Sequence, residues 1–181
     1  MRIAVVYESM FGSTRLIAQE IAEGLGGAPD VKAIGVAEAD DVVMDGLDLI
    51  VVGGPTHAWG MSRPSTRRGA PLHVNRPRSG LVLEPGADSG PGVREWISSL
   101  DRVHTQAAAF DTRVSSAPLF TGRASKGIAR ELTRHGLTVI GAPESFLVDK
   151  GSHLLAGELE RARAWGARLG TVITPKLTER S

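Results

Sequence analysis

The sequence predicts an α/β protein in which a parallel sheet is covered by helices on both faces. Three observations predict it. Residues 2–7, 47–52 and 107–114 are short, nearly continuous apolar runs, the pattern of strands buried on both sides rather than on one. Between and after them, apolar residues recur at helical spacing. Glycine and proline clusters separate the two kinds of segment. Strands alternating with helices place helices on both faces of such a sheet.

The elements follow in order. Residues 2–7 form the first strand, and Ile17, Ala18, Ile21 and Leu25 mark a helix that Gly26 and Gly27 end. Residues 31–36 give a weaker second strand, 47–52 a strong third and 107–114 a fourth. A fifth falls at 137–140, with Phe146, Leu147 and Val148 extending it beyond the Gly141-Ala142-Pro143 break. Helical spacing returns at Val93, Trp96, Ile97 and Leu100, at Ile128 and Leu132, and at Leu155, Leu159, Ala162 and Leu169. Residues 60–92, about a third of them glycine or proline, show no periodicity and read as a long loop.

With 181 residues, 41% of them hydrophobic and 23% charged, the chain reads as one globular domain spanning residues 1–181. It has no cysteine, so disulfides and thiolate metal sites are excluded, and a cytoplasmic location is expected. No leader or membrane-spanning run is evident, so membrane insertion is not expected. A net charge of +1 gives no general attraction to nucleic acid. The charge is unevenly spread: between Ala58 and Leu83 there is no acidic residue, while Arg63, Arg67, Arg68, Arg76 and Arg78 all fall there. The five histidines lack ligand spacing and no metal site is expected. No catalytic residue is assigned either, because Ser9 has no histidine and acid in a supporting pattern. Gly122-Arg123-Ala124-Ser125-Lys126-Gly127 lacks the glycine spacing of a Walker loop and reads as the start of a helix.

Two segments carry chemistry. The first strand runs into Ser9-Met10-Phe11-Gly12-Ser13-Thr14, a hydroxyl-rich turn opening a helix, where backbone N–H groups and the helix dipole favour a phosphate. The simpler alternative is a turn with Ser13 as the helix N-cap. After the third strand comes Gly53-Gly54-Pro55-Thr56-His57-Ala58-Trp59-Gly60, read as a second loop at the carboxyl edge of the sheet, where ligands of such sheets bind.

These two segments resemble the flavodoxin-like family, and the first is similar to the phosphate loop in the flavodoxin domains of flavodiiron proteins. The resemblance implies a three-layer fold with a five-stranded parallel sheet of order 2-1-3-4-5, and FMN as cofactor. Ser9, Met10, Phe11, Gly12, Ser13 and Thr14 would hold the phosphate, and Pro55, Thr56, His57, Trp59 and Gly60 would address the ring. Trp59 would stack on the flavin, and Gly60 would turn its carbonyl toward the N5 proton of the half-reduced ring. The tail from Leu159 to Gly166 resembles the family's last helix. The likeness does not extend over residues 61–92.

The departures lie in the third loop and in the charge. Where the family closes over the flavin with a tyrosine or several glycines, this chain has Asp111-Thr112-Arg113-Val114-Ser115-Ser116-Ala117-Pro118. Cover would have to come from Phe120, from His73 or from a partner subunit. The arginines following Trp59-Gly60, if close to the ring, would make the flavin less reducing than that of acidic flavodoxins. The implied function is electron transfer with a redox partner protein or a small-molecule electron acceptor. Two alternatives stand beside it: a flavin-dependent oxidoreductase acting on a quinone or porphyrinogen-type substrate, and a flavodoxin-like binding module that has lost FMN.

Overall fold

The computed structural model describes residues 1–26, 31–41, 46–57, 59–74, 80–101, 104–116 and 121–173, without the side chains of residues 40, 41 and 73. Strand β1 (Ile3–Tyr7) leads into helix α1 (Ser13–Gly24), then β2 (Val31–Gly35) and a 3-10 turn at Val36–Asp41. Next come β3 (Leu49–His57), the two-residue β4 (Gly60–Met61), the short helices α2 (Pro64–Arg67) and α3 (Ala70–Val74), and α4 (Val93–Ser99). The chain continues through β5 (Gln106–Val114), α5 (Ala124–Arg134), β6 (Thr138–Val139), β7 (Glu144–Val148) and α6 (Glu158–Val172).

The sheet runs β2-β1-β3-β5-β6, with β7 also pairing β5 in parallel. Segments β6 and β7 share one edge of β5: β6 lies beside Gln106 and Ala107, β7 beside Phe110 to Val114. Together they fill the fifth position of the expected 2-1-3-4-5 order, interrupted where Pro143 and its neighbours break the ladder.

Alternation along each strand divides the apolar residues between two cores. Ile3, Val5, Leu49, Val51, Ala108 and Phe110 face α1 and α6. Ala4, Val6, Ile50, Val52, Ala107 and Ala109 face α4 and α5. On the first face the two helices approach backbone to backbone: a Cβ on Gly24 would fall 2.0 Å from the Arg163 carbonyl oxygen, and one on Gly166 would fall 2.3 Å from that of Ile21. No larger residue fits at either crossing point.

Two expectations need correction. Strand β3 runs to His57, so Gly53 to His57 are strand and not loop. Its glycines and proline read as loop residues, yet Gly53, Gly54 and Pro55 pair in register with Phe110, Asp111 and Thr112. Thr56 and His57 then turn back onto Met61 and Gly60 as an antiparallel hairpin. The segment 60–92 likewise contains β4, α2 and α3, elements too short to leave a periodic signature. Beyond them it straps across the first turn, where the Glu84 amide donates to the Met10 carbonyl (2.9 Å) and Arg15 pairs with the Glu84 carboxylate (2.6 Å). Among the described residues no helix is long and apolar enough to cross a membrane.

Candidate functional site

The strand order reverses between β1 and β3, which leaves a crevice at their carboxyl ends. There Gly12 takes φ 92° as the N-cap of α1, a left-handed conformation that suits glycine. No side chain caps this helix and its first turn carries no acid. The first amide groups of α1 are therefore open to an anion, with the positive end of the helix dipole behind them. Gly12, and not Ser13, holds the cap position, because Ser13 is already the first helical residue.

A cleft of about 320 Å³ opens at this point. It brings together seven of the expected site residues: Met10, Phe11, Ser13, Thr14, Pro55, Thr56 and His57. Several of the hydroxyl groups are engaged within the protein. Ser9 Oγ accepts the Gly12 N–H (3.2 Å), Ser13 Oγ donates to the Ser152 carbonyl (2.6 Å), and Thr14 Oγ1 shares a hydrogen with Thr112 Oγ1 (2.7 Å). Thr56 Oγ1 accepts the Ala124 N–H at the start of α5 (3.0 Å). These bonds tie α1 to β5 and to the segment after β7, and β3 to the start of α5, around the cleft.

Trp59 and Gly60 do not line it. Trp59, with φ 68°, is 67% exposed and borders a second pocket, with Gly60 beside it. Ala58, Phe120, Arg76, Arg78 and the side chain of His73 lie outside the described residues. Of the arginines expected near the ring, Arg67 is buried and turned inward to Glu95 (2.8 Å) and Ser62 (3.0 Å).

Thr112 and Arg113, expected in the third loop, belong instead to the end of β5 and line the cleft, as do Lys150 and Ser152 after β7, which sequence reasoning missed. Arg113 is tied down by the Ser116 carbonyl (2.7 Å) and Thr121 (3.3 Å). Lys150 is exposed and forms no hydrogen bond or ion pair to another described residue. The available signal was position: Lys150-Gly151-Ser152 follows the last apolar run, at the same edge of the sheet as the first turn.

Beneath the first turn lies Glu8, 5% exposed. Its Oε2 accepts the Val93 N–H that begins α4 (2.9 Å), while Oε1 has no hydrogen-bond partner among the described residues. Burial pushes the Glu8 carboxyl above the usual range, against the opposing pull of Ser62, the Val93 amide and Arg67. The folded chain thus binds this proton more tightly than the unfolded chain. Stability should fall as pH rises from the ordinary glutamate value through the raised one, and the loss is complete above it. Glu8→Gln removes the titration. Its melting temperature is expected to gain on the parent as pH rises above the ordinary glutamate range, and a pH-independent difference in thermal melts would contradict this account of Glu8.

No family model and no curated protein sequence matches the chain. Solved structures do. A flavodoxin from the domain Archaea is 20% identical with a TM-score of 0.63, over 94% of this chain and 97% of that one. Oxidised flavodoxin 1 from Bacillus cereus is 17% identical with a TM-score of 0.62, over 96% and 100%. The flavodiiron core of Flv1 from Synechocystis is 16% identical with a TM-score of 0.58, over 94% of this chain but 35% of that one. Together with the strand order, these matches show that the chain has the flavodoxin-like fold.

Proposed function

We propose that the chain binds FMN in the cleft and serves in electron transfer with a redox partner protein or a small electron acceptor. The observation that carries the reading is the uncapped N-terminus of α1 opening into a cleft at the strand-order reversal. The residues present fit a phosphate through the open amides of the first turn of α1 and Lys150 at the rim; the Ser13 hydroxyl would have to exchange its bond to Ser152 to join them. Pro55, Thr56 and Thr112 also line the cleft and would meet the flavin's sugar chain or ring. FMN bound there would supply the electron-carrying chemistry, and the protein would supply position and charge. Because Arg67 is occupied by Glu95, positive charge beside the cofactor comes from Arg113 and Lys150.

A second reading is a binding module without flavin. It is favoured by the internal bonds of Ser9, Ser13 and Thr14 and by the position of Trp59 outside the cleft. One titration separates the two. Adding FMN to the purified chain should quench flavin fluorescence to a stoichiometric end point and leave a yellow protein after gel filtration. A colourless protein with unaltered flavin emission would overturn the FMN reading and leave the binding module.

A further inference from the structure

A pocket of about 600 Å³ lies between the β3–β4 hairpin and α5 and, among the described residues, shares no lining residue with the cleft. Four cations line it: Arg94, Arg123, Lys126 and Arg130. None has a carboxylate partner among the described residues. Arg94 is held by the carbonyls of Ser62 (3.3 Å) and Met61 (3.4 Å), and Arg123 by Ser145 Oγ (3.0 Å) and the Pro143 carbonyl (2.9 Å). These neutral acceptors fix the two guanidinium groups without cancelling their charge. Lys126 and Arg130 form no hydrogen bond or ion pair to another described residue. They stand four apart on α5, a spacing at which like charges repel. The one carboxylate among the described lining residues, Glu131, is engaged by Arg134 at 2.6 Å.

The amides at the start of α5 are not the attraction, since Thr56 Oγ1 and Asp111 Oδ2 already take the Ala124 and Ser125 N–H groups (3.0 and 2.7 Å). Recognition must come from side chains. At the rim stands the exposed Trp59, and its backbone packs so closely on Gly122 that a Cβ there would fall 2.3 Å away. Unpaired cations around a concave space, with an exposed indole at the edge, match a ligand that joins negative charge to a flat ring. We propose that this pocket is a second ligand site, for a small organic molecule carrying a flat aromatic ring and two or more negative charges. The exposed indole beside the cations favours such a molecule over an acidic protein surface, for which the charges alone would serve. The proposal stands whether or not the cleft binds FMN.

ADP is a suitable probe, and Trp59 a suitable reporter, because Trp96 and Trp165 are only 4% and 6% exposed. ADP should quench the exposed tryptophan emission saturably, and adenosine, lacking the charge, should not. The double variant Lys126→Ala/Arg130→Ala should bind ADP about tenfold more weakly or worse and melt no lower than the parent. ADP binding that survives in the double variant but is lost in Lys150→Ala would assign ADP to the cleft and overturn the proposal. So would quenching by poly-L-glutamate but not by millimolar ADP, which would mark the pocket as a docking face for acidic protein.

Discussion

Replacing Phe110 with alanine is expected to cost the fold about 3–5 kcal/mol. Phe110 is fully buried at the middle of β5. Its ring meets Phe146 of β7 edge-on (centroids 6.2 Å apart, planes at 73°) and Trp165 of α6 likewise (6.3 Å, 64°). Those two rings meet each other at 6.1 Å and 71°, so three aromatics close a triangle joining two strands and the last helix. The Arg161 guanidinium covers the Phe146 ring at 4.5 Å. On the other side the Phe110 ring fills the space over its register partner Gly53, where a Cβ would lie 2.1 Å from ring carbons. No neighbouring side chain is therefore present at Gly53 to collapse into the vacated volume, and the cavity term adds to the lost burial. Urea unfolding of parent and variant measures the difference, and a change below about 1 kcal/mol would contradict this account of the core.

Most of this architecture was legible in the sequence. The runs that become β1, β3 and β5 are apolar on both faces because helices cover both sides, so they stand out without homologues. Val93, Trp96, Ile97, Ile128 and Leu132 also fall on the helices that their spacing predicts, α4 and α5. Less legible was the path from Gly53 to Met61. Glycine and proline normally end a strand, and here they continue one because Phe110 occupies the place of a side chain on Gly53. A constraint imposed from a neighbouring strand leaves no mark in the local sequence. The strap that sets Glu84 on Met10 and Arg15 escaped for the same reason, since both contacts span about seventy residues.

The site was half legible. The turn after β1 carries its own signature in its hydroxyls, its glycine and its place before a helix. Its partners carry less: Thr112 was legible only as part of a third loop, and Ser152 becomes recognisable only once β5 and β7 are known to end at the same edge of the sheet. The assignment of Trp59 rested on resemblance. In this chain the β3–β4 hairpin holds the indole at a different pocket, beside cations that the sequence scatters across Arg94, Arg123, Lys126 and Arg130.

Replacing Lys150 with alanine is expected to weaken FMN binding by about tenfold to a hundredfold, with little change in stability. A hydrogen bond to a charged group contributes about 1.5–3 kcal/mol, and each 1.4 kcal/mol is a factor of about ten in affinity. Ser13 is bonded to the Ser152 carbonyl, which docks the segment carrying Lys150 against the first turn of α1. Of the other nearby cations, Arg15 is paired with Glu84, while Arg113 is held only by the neutral Ser116 carbonyl and Thr121 and keeps its charge. Lys150 alone among the described cleft residues brings a positive charge without a partner. Its exposure means that truncation removes no packing, so the melting temperature should barely move. The charge also predicts a salt response. Raising ionic strength should weaken FMN binding to the parent more steeply than to Lys150→Ala, because the variant has lost the interaction that salt screens. Fluorescence titrations at low and high salt measure both effects. Equal affinities for the two proteins would mean that the phosphate is not held between the α1 turn and the segment after β7, and would move the search for it elsewhere in the crevice.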